Sequence, residues 1–125
     1  KFYYGKINNT KYVNVWGNGS ATRDFCYVDD IIDGIILAAK RYRKVEPLNL
    51  GSGKEVSIKT LCKNIAEIIN YKGKIRWQKN KPTGPKRRFL SILKAKKEIG
   101  FKQSTNLKEG LKKTINWYIN YNIKE

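Results

Sequence analysis

One arginine and one tryptophan stand out as residues able to hold a charged, ring-bearing ligand. Arg23 follows the run Val15-Trp16-Gly17-Asn18-Gly19-Ser20-Ala21-Thr22 and precedes Asp24-Phe25-Cys26-Tyr27-Val28-Asp29-Asp30. A guanidinium is a planar, permanently charged fork that fits phosphate oxygens. A glycine turn just ahead of it lets backbone amides approach the same anion. The competing reading is a surface arginine paired with its neighbour Asp24. Trp16 sits where a strand meets that turn, and its ring suits a sugar or base edge. It is equally a core or rim tryptophan. Together the two residues suit a phosphorylated small molecule with a ring.

Other chemistries are excluded or disfavoured. The 125 residues contain no histidine, which removes His-based acid–base catalysis, Ser-His triads and His-ligated metals from this segment. Cys26 and Cys62 have no metal-ligand spacing, and both lie on apolar stretches as small core residues. So few cysteines fit a reducing, cytoplasmic setting better than a disulfide scaffold. Asp29 and Asp30 stand at a helix start, where the helix dipole favours the ionised carboxylate. That suits capping, not general-acid work. Gly51-Ser52-Gly53 lacks the third glycine of a dinucleotide fingerprint and reads as a turn. No apolar run is long enough to span a bilayer.

The formal net charge is +17, from 27 Lys+Arg against 10 Asp+Glu. Such an excess favours anionic partners, either nucleic acid or an anionic metabolite. Lysine far outnumbers arginine, whereas a reader of DNA bases favours arginine. Isoleucine and asparagine are also abundant, so the charge reads mainly as compositional bias. A basic nucleic-acid-binding module, with Trp16 and Trp77 as stacking platforms, is the rival from a different class.

The elements that must position these residues follow from periodicity and caps. Lys1 to Gly5 reads as the tail of a helix that began upstream, and the chain contains no methionine. Tyr12 to Trp16 alternates apolar and polar residues as a strand does, and Gly17 and Gly19 end it. Phe25 to Val28 reads as a second strand. A helix then begins at Asp29 or Asp30 and carries Ile31, Ile32, Ile35, Ile36 and Ala39 as its apolar face. Pro47 to Leu50 reads as a short strand. Ser57 caps a helix whose buried face is Ile58, Leu61, Ile65, Ile68 and Ile69, closed by Tyr71-Lys72-Gly73. Ile75 to Trp77 is a strand, 79–86 a polar loop, and Arg88 to Ile92 a strand leading to a short helix ended by Gly100. Asn106-Leu107-Lys108-Glu109 opens a last helix that runs to the terminus. The class is α/β, or α+β for this segment taken alone.

Five segments in this order resemble the C-terminal half of the extended short-chain dehydrogenase/reductases, the NAD(P)-dependent sugar-nucleotide epimerases and dehydratases. They are Val15 to Gly19, Arg23 to Asp30, Leu48 to Gly53, Lys81 to Arg88, and Leu107 to Leu111 with Trp117-Tyr118. Trp-Gly-x-Gly with Lys-Pro-x-Gly-x-x-Arg is similar to the GDP-L-fucose synthase branch. Pro85-Lys86 and Ser91 depart from that branch, where Thr-Pro and aspartate are common. The resemblance implies that Arg23 contacts the diphosphate of a nucleotide-diphosphate sugar and that Trp16 helps enclose it. It implies a second contact from Arg87, whose competing reading is solvated charge beside Lys86 and Arg88. Two cationic arms on separate loops would straddle a diphosphate.

The resemblance further implies that residues 1–125 are the substrate-binding part of a Rossmann-like enzyme. Its partner would be an N-terminal Rossmann domain holding NADP(H) or NAD(H), in a homodimer when complete. No tyrosine here has lysine four residues on, and no Gly-x-x-Gly-x-x-Gly run occurs. The catalytic Tyr-x-x-x-Lys pair and the cofactor turn of that superfamily are therefore expected upstream of Lys1, with no catalytic residue in this chain.

Overall fold

The computed structural model describes residues 1–122. Its elements are α1 (Phe2–Ile7), β1 (Tyr12–Trp16), β2 (Thr22–Asp24), α2 (Val28–Arg41), β3 (Glu55–Ser57), α3 (Ile58–Ile68), β4 (Lys74–Gln78), α4 (Leu93–Ile99) and α5 (Leu107–Asn122). Residues 123–125, into which the last helix was expected to run, lie outside the described residues.

Alternation builds the first layer. β1 and β4 pair in parallel, Val13 opposite Ile75 and Val15 opposite Trp77. That pleat turns Val13, Val15, Ile75 and Trp77 to one side. There they meet Phe2, Ile58, Cys62, Ile65, Ile69 and Tyr71 in the larger of two apolar cores. α3 lies over this sheet because Ser57 Oγ accepts the Thr60 amide at 3.0 Å and fixes the helix start. It ends at Ile68, and Asn70 turns left-handed at φ 56°, slightly ahead of the Tyr71-Lys72-Gly73 signal. The second core joins Ala95, Ile99 and Phe101 to Leu37, Ala38, Tyr42, Leu48 and Leu50. Gly100, at φ 74°, ends α4 and turns Phe101 back into this core.

Three expected strands are displaced. Phe25 to Val28 forms no ladder; the strand lies earlier, at Thr22–Asp24. It pairs antiparallel with β3, a three-residue segment that offers only Val56 as an apolar signal. Pro47 to Leu50 forms no ladder either, and Leu48 and Leu50 pack against the second core. Proline cannot donate a ladder bond, and no described strand lies beside this segment. From Arg88 to Ile92 the chain is irregular; its one β contact is the parallel bridge of Arg87 to Thr22.

α2 buries a different face from the one its isoleucines mark. Gly34 and Asp30 are buried, and Leu37 and Ala38 join the second core. Ile32, Ile35 and Ile36 remain 48%, 56% and 46% exposed. Small residues decide this. A Cβ on Gly34 would stand 2.8 Å from the Phe101 ring, so only glycine lets the ring close on the helix.

Neither Asp29 nor Asp30 caps α2, because Tyr27 occupies the cap position without a side-chain bond. Asp30 is 2% exposed and reaches across the chain instead. Its carboxylate accepts the Ser104 and Thr105 amides at 3.2 and 3.1 Å, and also both hydroxyls. That fastens the approach to α5, where Asn106 Oδ1 caps the Glu109 amide at 3.0 Å. Burial pushes the Asp30 pKa up, but these donors outweigh it and hold the group below its ordinary value.

Two outcomes follow for stability. Asp30→Asn is expected to cost about 2 kcal/mol in urea unfolding at pH 7, since charge-assisted bonds to buried donors are lost. A carboxyl depressed in the folded state stabilises above its unfolded pKa and stops doing so as pH falls through the folded one. The gap between wild type and variant should therefore narrow below about pH 4; a gap independent of pH would contradict the role given to Asp30. Gly34→Ala should destabilise by about 1–3 kcal/mol through overpacking against Phe101, although alanine is the better helix former. A raised melting temperature would refute that contact.

Candidate functional site

The turn after β1 is built for close approach. Gly17 and Gly19 both sit at φ 78°, a conformation that side chains with Cβ adopt at a cost. The Gly17 amide donates to Gln78 O at 2.9 Å and extends the β1–β4 ladder into the turn. Asn18 Oδ1 accepts from the Ser20 amide and hydroxyl. Gly19 O and Ala21 O accept the Lys59 and Ile58 amides, each at 2.9 Å. The backbone passes so close to Trp77 that a Cβ on Gly19 would strike its ring. On the other side Thr83 packs directly over Gly17.

Between this turn and the 79–86 loop lies an open cleft of about 470 Å³. Trp16 stands at its wall, 55% exposed, so it is a rim residue and not a core one. Ile58, Pro82 and Thr83 supply apolar lining, and Lys79 and Lys86 supply the positive charge. The sequence marks Lys86 only as part of a basic cluster with Arg87 and Arg88, and does not single out Lys79. Only the folded loop brings both of them to the turn.

The three residues of β2 tie the surrounding segments together. Asp24 accepts the Ser52 amide and hydroxyl and the Gly53 amide, at 2.7, 2.6 and 3.0 Å. The Ser52 and Gly53 amides are thus spent on a carboxylate and cannot cradle a phosphate. Among the described residues Arg23 forms no ion pair, with Asp24 or any other group. Half-buried, its Nη1 donates to Thr22 O at 2.6 Å and to Pro85 O at 3.0 Å. The arginine therefore holds the 79–88 loop in place behind the cleft.

Thr22 forms the edge of that arrangement. Its amide donates to Lys86 O, and its carbonyl accepts the Arg88 amide, so Arg87 lies beside it. Arg87 donates from Nε and Nη2 to Glu55 Oε2 at 2.9 and 2.6 Å, over the Phe89 ring at 5.1 Å. The Thr22 hydroxyl donates to Glu55 Oε1 at 2.6 Å. Hydrogen bonds from Arg87, then from Thr22, pull the Glu55 carboxyl down to about 2, and the same Glu55 contact pushes Arg87 up. The fold places Arg23 in β2 and Arg87 on the segment beside it, rather than on two separate loops. Their guanidiniums, however, share no partner. The strand pleat sends Thr22 and Asp24 to one face, with Glu55 and the Arg87 head, and Arg23 to the other.

A second, mostly apolar cavity of about 550 Å³ lies between Phe25–Val28 and α5, bounded by Leu107, Leu111 and Trp117. Cys26 lines it. Burial, then the charges of Asp30 and Asp24, push its thiol up to about 11, so it stays protonated and unreactive at neutral pH. Cys62 belongs to the larger core. Trp77 does so too, which leaves Trp16 without it as a stacking neighbour. Among the described residues no helix is long and apolar enough to cross a membrane.

The chain is similar to known proteins in both sequence and fold. The family model described as GDP-mannose 4,6 dehydratase matches residues 4–114. A probable GDP-L-fucose synthase 1 of Oryza sativa is 40% identical over 119 residues, which are 95% of this chain and 36% of that protein. The GDP-L-fucose synthetase of Naegleria fowleri superposes with a TM-score of 0.88 at 24% identity, over 96% of this chain and 37% of its own. It has also been solved bound to NADP. The UDP-glucose 4-epimerase of Thermotoga maritima, solved with UDP-glucose, superposes with a TM-score of 0.84 at 27% identity, over 96% and 38%. The chain spans little more than a third of the length of these relatives. Matched by the family model over most of its length and 40% identical to a relative over 95% of its residues, the chain belongs to the GDP-mannose 4,6-dehydratase family of nucleotide-sugar epimerases, dehydratases and reductases.

Proposed function

We propose that this chain is the C-terminal, substrate-binding part of a GDP-L-fucose synthase-like enzyme, which epimerises GDP-4-keto-6-deoxymannose and then reduces its ketone. The cleft between the Trp16 turn and the 79–86 loop carries this reading. It has the size of a small-molecule site, an aromatic rim, two lysines, and a half-buried arginine behind its loop. A diphosphate would meet positive charge there, and a sugar or base would meet Trp16. NADP(H) or NAD(H) would supply hydride transfer in the complete enzyme. The glycine turns described here do not fit that group. One is packed by Trp77 and Thr83, and the other is saturated by Asp24. The cofactor would therefore be held by residues outside this chain, as would the Tyr-x-x-x-Lys pair.

The exposed isoleucines of α2 support the same division. Val28, Ile32, Ile35 and Ile36 form an uncovered apolar stripe on a helix whose other face is already packed. A Rossmann-like N-terminal domain would cover it, in a homodimer within a reducing cytoplasm. The second reading is a 4-epimerase or 4,6-dehydratase for another nucleotide sugar, favoured by the likeness to the Thermotoga maritima epimerase. A basic nucleic-acid module is less well supported, because Trp77 is a core residue.

Three measurements test these proposals. In the complete enzyme, Arg23→Ala should weaken nucleotide-sugar binding by about 1.5–3 kcal/mol and leave NADPH affinity nearly unchanged. Equal losses for both ligands would mean that Arg23 acts only through folding. In competition titrations GDP should outrank UDP; the reverse order would move the assignment to the second reading. Ile32→Glu with Ile36→Glu should leave the secondary structure of this chain intact but dissociate or unfold the complete enzyme. An unaffected complete enzyme would show that the stripe faces water there too.

A further inference from the structure

We propose that Glu55 is an internal anion that occupies Arg87 and that a ligand diphosphate must displace it to recruit this arginine. The proposal rests on the reading of Arg23 and Arg87 as diphosphate contacts and adds a competitor to that site.

The geometry points to exchange. Both Arg87 donors converge on one oxygen of Glu55, the kind of contact that a guanidinium makes with a phosphate oxygen. The carboxylate is the fixed partner. Glu55 is in register with Asp24 on the β2–β3 ladder, and its second oxygen is held by Thr22. Arg87 is the movable partner. Its backbone is pinned beside Thr22 and by Arg23 at Pro85 O, but its side chain is 64% exposed and, among the described residues, rests besides Glu55 only over the exposed Phe89 ring. While Arg87 stays on Glu55 its head lies on the Thr22 face, across β2 from Arg23. A ligand gripped by both arginines requires Arg87 to leave the carboxylate. Rotation of the side chain around the strand edge achieves that without breaking the backbone bonds of Thr22. An exposed ion pair of this kind is weak and screened by salt, so a diphosphate with more charge can replace it.

The test is a double-mutant cycle on the complete protein, with GDP and inorganic pyrophosphate as probes in calorimetric titration. Glu55→Gln should tighten both ligands by about two- to five-fold, the range of an exposed pair. The gain should vanish in an Arg87→Ala background. A gain of the same size without Arg87 would mean simple charge repulsion, and unchanged or weaker binding would mean a purely structural ion pair; either result overturns the proposal. A mutation-free measurement guards against misfolded variants. The Arg87 Nε–H resonance of the wild type should shift on saturation with pyrophosphate, and a fixed resonance would also overturn it. Wild-type protein that binds neither probe would instead refute the nucleotide-sugar reading itself.

Discussion

Everything around the cleft depends on three consecutive residues of β2. Thr22 pairs its backbone with the 86–88 segment and its hydroxyl with Glu55. Arg23 reaches Pro85 O. Asp24 closes the Ser52–Gly53 turn. A strand this short has little ladder energy of its own and is ordinarily marginal. Here side chains of alternating direction compensate, because each bond ties β2 to a segment distant in sequence. The same bonds fix the 79–88 loop against the Trp16 turn, so one short strand sets both local stability and the shape of the cleft.

The charges of this hub are arranged by destination. Asp24 and Asp30 are spent on backbone amides and hydroxyls, where they hold turns. Glu55 is spent on an arginine. Among the described residues Lys79 and Lys86 at the cleft take part in none of the ion pairs. A lone basic surface attracts any polyanion. A cleft with an aromatic rim and a tethered arginine would discriminate by shape as well, as recognition of the proposed nucleotide sugar would require.

The two cores have different completeness. The core of β1, β4 and α3 is enclosed by α1 and by residues of α5. The core of α4 and Phe101 meets only one side of α2 and leaves the isoleucine stripe open. A helix apolar on two faces is the mark of an element between layers. The periodicity of Ile31, Ile32, Ile35 and Ile36 was legible in the chain, but it described the uncovered side. The side that packs is marked by Gly34, Leu37 and Ala38, of which only Leu37 carries a strong hydrophobic signal.

The sequence by itself determined β1, β4, α3, α5 and the glycine turns. Those features rest on local rules: alternation, capping side chains and backbone angles open to glycine. Tertiary structure alone decided that β2 pairs with Glu55–Ser57 and that Asp30 fastens residues 74 and 75 positions away. It also decided that Arg87 rests on Glu55 while Arg23 turns to the opposite face. A carboxylate has the same local signature whether it caps its own helix or a distant turn, and only the packed chain brings one set of donors within reach.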